Sequence, residues 1–268
     1  MSRPRFLTLL VHGDSGAGKS WLLNTAPKPL LLLDSEGRAD MLADLETDPT
    51  GMTAQRLVDW DPGFAIPEES AEPNTVTVVN VQSFRDIELA YQWLSSGNHP
   101  FVAVGIDSLQ ETQQRLIESV SGTDQPDQQD WGAVLRLLDS YIRKFRDLRK
   151  HKTRPLWAVV VVAGSNEKNG KQRPMLQGQM SVRAPYHFDV VGYLNKQLDP
   201  QTGQTLRYMS VDGFVDGVEA KDNTHVISQT FGPRIYNPHI GAMLAALNPS
   251  STPTPADPGT TVQEDTTP

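Results

Sequence analysis

The chain's 268 residues carry 24 Lys and Arg against 32 Asp and Glu, a formal net charge of −8, with 38% hydrophobic and 21% charged residues. This suits one soluble globular domain with appendages, long enough to bury a three-layer α/β core. The lack of any cysteine excludes a disulfide scaffold, cysteine-ligated zinc, iron–sulfur clusters and thiol catalysis. No apolar run approaches the ~18 residues of a membrane span, and the acidic balance excludes a generally basic nucleic-acid coat while permitting a local basic groove. No signal-peptide pattern is seen, so a cytoplasmic protein with no membrane partner is expected.

Residues 5–12 read as a buried strand, followed by a glycine-rich turn at 13–18 and a short helix from Lys19 to about Ala26. Pro27 and Pro29 end that helix. The apolar run at 30–34 predicts a strand covered on both faces. Residues 46–74 hold seven acids, four prolines and one base, and read as a solvated excursion with little regular structure. Strands are predicted at 75–81, 101–107 and 156–163. Helices are predicted over 84–95 behind a Ser83 cap, near 108–120, and over 131–150 behind Asp130, where Val134, Leu137, Leu138, Tyr141, Ile142 and Phe145 fall at helical spacing. Strands alternating with helices predict a mostly parallel sheet with helices on both faces. Beyond a polar loop at 164–183, antiparallel strands are predicted at 188–198 and 205–211, a further strand at 225–231 and a short helix at 239–247. Residues 249–268 contain five Pro, six Thr, three acids and no base. Such a tail cannot bury enough apolar surface to offset its ordering entropy, so disorder is expected there and a single domain over 1–248.

The strongest motif is Gly13-Asp14-Ser15-Gly16-Ala17-Gly18-Lys19-Ser20, a G-x-x-x-x-G-K-[ST] loop between a predicted strand and a predicted helix. Its glycines let successive backbone N–H groups point inward at phosphate oxygens. In such a loop Lys19 reaches the β- and γ-phosphates of ATP and Ser20 ligates Mg²⁺. Asp107 ends an apolar strand and is placed as the second Mg²⁺ residue. Glu36, just past the strand at 30–34, is placed to activate the attacking water. The six histidines show no metal-ligand spacing and read as structural or surface residues.

With Leu33-Asp34-Ser35-Glu36 and Asp107-Ser108 in these positions, the chain resembles the RecA core, a P-loop NTPase fold, over roughly residues 5–235. More narrowly, it is similar to phage-encoded RecA-core nucleotide-binding proteins, a group that includes single-strand annealing proteins and recombinases. The run Lys28 to Gly37, Asp130-Trp131-Gly132 and Lys221-Asp222 carry that likeness. The resemblance implies an ATPase with Lys19 and Glu36 as catalytic residues, and a homo-oligomer working in a bacterial host beside single-strand-binding or other replication proteins. It implies a phosphate-sensing residue after the strand at 156–163, where Ser165 or Asn166 stands in for the family's glutamine. It implies a contact in trans from Lys221.

Basic residues gather in two places. Eight of the 24 positive charges fall within residues 136–154, a pattern that suits a solvated helix face. Lys168, Lys171, Arg173 and Arg183 lie in the loop 164–183, which leaves the sheet at the edge where ligands of α/β proteins gather. These four are the candidate contacts to single-stranded DNA. Two other readings stay open: a P-loop phosphotransferase acting on a small molecule, with this loop as its lid, and a non-catalytic, nucleotide-gated assembly or loader protein.

Overall fold

The computed structural model describes residues 5–42, 55–122, 127–199 and 202–249. The expected disorder from 250 onward, and residues 46–54 of the expected excursion, lie outside the described residues. In chain order the first half comprises β1 (Leu7–His12), α1 (Lys19–Asn24), β2 (Leu30–Asp34), β3 (Arg56–Asp59), β4 (Thr75–Asn80), α2 (Phe84–Ser96), β5 (Ala103–Asp107) and α3 (Leu109–Ser121). Next come α4 (Gln128–Asp147), β6 (Ala158–Ala163), β7 (Ser165–Lys168), β8 (Lys171–Pro174) and α5 (Met180–Arg183). The chain closes with β9 (Val190–Leu198), β10 (Thr205–Ser210), α6 (Gly213–Asp216), β11 (Lys221–Asp222), α7 (Val226–Phe231), β12 (Arg234–Tyr236) and α8 (Ile240–Leu247).

Seven strands run parallel in the order β9-β1-β6-β5-β2-β4-β3, and β10 and β12 extend the sheet antiparallel beyond β9. Successive side chains of a strand point to opposite faces, and both faces are dry here. Leu10, Leu31, Leu33, Val159 and Val161 pack with Ile87 of α2, Leu116 of α3 and Val134 and Leu138 of α4. Leu7, Leu9, Val11 and Leu32 pack with Leu22 and Leu23 of α1, Ile227 of α7 and Met243 and Leu247 of α8. Burial on both sides explains why β1, β2 and β6 are continuous apolar runs rather than alternating ones. The expected fold class, a mostly parallel α/β sheet with late antiparallel strands, is the one observed.

Four local expectations are corrected. Asp127, not Asp130, caps α4: its carboxylate accepts the N–H groups of Gln129 and Asp130, while Asp130 reaches back to the N–H of Asp127. Both acids belong to one capping box, so the helix begins three residues earlier. Residues 226–231 form a helix and not a strand, because Asp222 accepts the N–H groups of Thr224 and Ser228 and starts a turn there. Within the described part of 46–74, β3 adds an edge strand beside β4, and Trp60 is buried against Trp93 and Phe101. Trp60 anchors this segment, with Leu57 and Ile66 partly buried beside the core. Finally, the polar loop after β6 contains the hairpin β7–β8 and the short helix α5.

Candidate nucleotide site

The site grows from the carboxyl ends of β1, β5 and β2. β1 ends at His12 and the chain turns at once into the glycine-rich loop, with Gly16 at φ 73° and Gly18 at φ 99°. Only glycine enters that left-handed region freely. Gly13 answers a different demand: a Cβ there would lie 2.2 Å from the Leu194 carbonyl oxygen of β9. Lys19 opens α1, and its ammonium donates to the carbonyls of Gly13 and Asp14, each at 2.9 Å. Burial lowers its pKa, while Asp107, Glu36 and Asp14 oppose that shift.

Two acids end neighbouring strands beside the loop, and only one of them turns toward it. Asp34 and Asp107 are register partners across β2 and β5. The Asp107 carboxyl is buried, and burial first, then Glu36 and Asp34, push its pKa up to about 6; the Ser20 hydroxyl, hydrogen-bonded to it, and Lys19 pull the other way. Asp34, 3% exposed, is spent on backbone. Its carboxylate accepts the N–H groups of Glu36, Gly37 and Ala39 at 3.0, 2.8 and 2.7 Å. That turn holds the Glu36 carboxylate toward the loop, where it meets Arg38 at 3.4 Å and the amide of Gln110 at 3.4 Å.

Lys19, Ser20, Glu36, Asp107 and Gln110 line one cavity of about 860 Å³, together with Ser15, Ser165, Arg38 and Arg115. The structure thus brings Lys19, Ser20, Glu36, Asp107 and Ser165 together. Asn166 is exposed and outside the lining. Lys221 lines a separate cavity of about 560 Å³ beside Phe214, with its ammonium 5.9 Å above the Tyr186 ring.

Two further residues join the site without any motif to mark them. Gln110 gives its amide to Glu36 and accepts the N–H of Gly164 just past β6. It therefore ties the acid at the end of β2 to the start of the β7–β8 hairpin. Its place three residues after Asp107 was the one sequence signal available. His12, fully buried, meets the Glu219 carbonyl through Nε2 at 2.7 Å and Ser165 Oγ through Nδ1 at 3.1 Å. A carbonyl only accepts, so the proton sits on Nε2 and the unprotonated Nδ1 faces the Ser165 hydroxyl, which also lies within reach of Gln172 Oε1 and the Arg173 carbonyl. Burial lowers the imidazole pKa to about 4, helped by Lys19 and Lys171 and opposed by the Glu219 contact.

The four basic residues of 164–183 all have partners within the chain. Lys171 and Arg173 share Glu219 at 3.4 and 3.0 Å. Lys168 donates to the Gly178 carbonyl and Ser181. Arg183 lies 3.7 Å from the buried Asp139, which also holds Arg143 and His187.

A phosphate-binding loop on the first strand of a parallel sheet, with an acid on the end of the next strand but one hydrogen-bonded to its serine, is the arrangement of a P-loop ATPase. The AAA domain family matches residues 5–223. The chain belongs to the AAA domain family. No curated protein matches it. Among solved structures it is similar to a KaiC-like protein of the hyperthermophilic archaeon Pyrococcus horikoshii, at 15% identity over 76% of this chain and 77% of that one, with a TM-score of 0.40. Among the described residues no helix is long and apolar enough to cross a membrane.

The residues of this AAA domain fit Mg²⁺ together with ATP. Asp107 is a buried carboxyl with two further acids nearby and a serine hydroxyl on it, an arrangement a hard cation relieves. Magnesium at phosphate sites uses one or two protein groups and completes its shell with water and phosphate oxygens. Ser20 and Asp107 are the two groups this chain offers.

Proposed function

We propose that the chain binds Mg·ATP on residues 13–20 and hydrolyses it, coupling hydrolysis to single-stranded DNA as a homo-oligomer in phage or bacterial recombination or replication. The observation that carries the reading is the convergence of Lys19, Ser20, Asp107 and Glu36 on one cavity from three strand ends. Magnesium, when bound, supplies charge neutralisation at the phosphate oxygens. Lys19 exchanges its two loop carbonyls for phosphate oxygens. Glu36, fixed by the Asp34 turn, orients a water and takes its proton as the water oxygen bonds to the γ-phosphorus and the bond to the ADP oxygen breaks.

Two contacts support coupling to the hairpin. Ser165, its first residue, touches His12 at the root of the phosphate loop, and Gln110 links Gly164 to Glu36. A shift of β7–β8 thus reaches both the phosphate loop and the base. A DNA backbone on Lys171 and Arg173 has to replace Glu219 as their partner, so binding and hairpin position are energetically linked.

Phosphate release from the full chain, with and without an oligothymidylate, tests the reading. ATP turnover with DNA stimulation is expected, and Glu36→Gln should keep ATP binding while slowing turnover roughly 10²–10⁴-fold. Replacing Lys168, Lys171 and Arg173 by Ala should flatten the log-affinity against log-salt slope for the oligonucleotide by about 0.7 per lost contact. An unaltered slope with full stimulation refutes the hairpin as the DNA site. A second reading, phosphoryl transfer to a small molecule, is favoured by Arg38 and Arg115, which extend the same cavity past Glu36. ATP consumption that requires a small acceptor and ignores DNA would establish that reading instead.

A further inference from the structure

The antiparallel hairpin β9–β10 brings two cations onto the phosphate loop from its other side. Lys196 and Arg207 are register partners across the hairpin, so their side chains share one face of it. A Cβ built on Gly18 would lie 3.1 Å from Arg207 Nε, and one on Gly16 would lie 3.7 Å from Lys196 Nζ. Both residues are exposed. Among the described residues neither forms an ion pair, not even with Asp14 in the loop itself. Two unpaired cations therefore stand beside a loop that already carries Lys19 and a curl of backbone N–H groups. Cations that share one face and pair with no acid there are suited to an anion that joins them.

The sheet order says which part of the anion they meet. β6, β5 and β2 lie on one flank of β1 and carry Asp107 and Glu36; β9 and β10 lie on the other flank. A linear triphosphate whose γ end meets Lys19, Asp107 and Glu36 has its α-phosphate and nucleoside directed toward the opposite flank. We propose that Lys196 and Arg207 form a subsite in cis for the α-phosphate end of a nucleoside di- or triphosphate. Gly18 then serves a second purpose, since a side chain there would crowd Arg207. This subsite rests on the reading of the loop as a nucleotide site and extends it to residues with no motif of their own.

The test is calorimetric titration of the full chain with ADP and with ATP, plus steady-state kinetics, for the parent, Lys196→Ala, Arg207→Ala and the double variant. Charge-assisted hydrogen bonds of this kind correspond to roughly tenfold in affinity or more for each contact. The double variant should therefore bind both nucleotides about 10²-fold more weakly, with the kinetic loss in KM rather than kcat, the signature of a contact made equally in ground and transition states. Arg207→Lys should recover most of the loss. Because the side chains are exposed, the melting temperature should follow the parent, and the conservative variant reports on the subsite independently of the deletions. Parent-like ADP affinity in the double variant overturns the proposal, and so does a fall in kcat at constant KM, which would place the pair on the reacting phosphate. A parent chain that binds neither nucleotide refutes the nucleotide site as a whole, an outcome distinct from both.

Discussion

Replacing His12 by leucine should destabilise the protein at neutral pH and progressively less so in acid. At pH 7.5 the substitution deletes the bonds to Ser165 and to the Glu219 carbonyl and leaves that carbonyl unsatisfied, at a cost of about 1–3 kcal/mol. The folded imidazole titrates at about 4 against 6.5 when unperturbed. Between those values the unfolded chain holds a proton that the folded chain does not. The parent's stability from this group is thus complete above the unfolded pKa and is lost as pH falls toward the folded one. The full window corresponds to about 3 kcal/mol, of which about 2 kcal/mol is gone at pH 5. His99, also buried and lowered to about 4, acts in the same direction, and Asp107, raised to about 6, acts in the opposite one. Both are present in parent and variant, so the difference between the two chains isolates His12. Urea unfolding followed by tryptophan fluorescence at pH 7.5 and pH 5 should show the gap shrinking by about 2 kcal/mol. A gap that is the same at both pH values refutes the assignment of His12 as a buried neutral pin between the phosphate loop and the hairpin.

Other expectations follow from the same geometry. Lys19→Ala should lower the rate of ATP hydrolysis by on the order of 10²–10³-fold and sharply weaken nucleotide binding; parent-like turnover would remove the loop from the mechanism. The carboxyl of Asp107 titrates at about 6 in the fold, so its charged form, the one that holds magnesium, is roughly tenfold depleted at pH 5. The Mg²⁺ concentration for half-maximal nucleotide-dependent activity should rise by that factor between pH 7.5 and pH 5 in the parent, and Asp107→Asn should lose this dependence. The same carboxyl works against stability as pH rises from 3.8 to about 6, because the fold disfavours its charge. Gly13→Ala places a Cβ 2.2 Å from a backbone oxygen of β9, and should lower the melting temperature by several degrees, at about 2–4 °C per kcal/mol for a chain of this size. An unshifted melting temperature would show that β9 yields there without cost.

The features legible in the chain alone are local ones. The phosphate loop is a contiguous eight-residue pattern whose glycines and lysine are demanded by backbone geometry and charge, so it reads without any partner. The apolar strands ending in Asp34 and Asp107 read because burial on both faces leaves no alternation, and a carboxylate at the end of such a run has one edge of the sheet to occupy. Where local signals compete, reading fails by a few residues: Asp127 and Asp130 are both good caps, and only their reciprocal hydrogen bonds show which comes first. The tertiary structure alone decided what Asp34 does, since a strand-end acid can face a ligand or its own backbone, and here three N–H groups claim it. It alone decided the partners of His12, which lie 153 and 207 residues away, and the approach of Lys196 and Arg207 to a loop at the far end of the chain. Such contacts depend on the order of strands in the sheet. That order is set by how two apolar faces are covered at once, and no short window of sequence contains it.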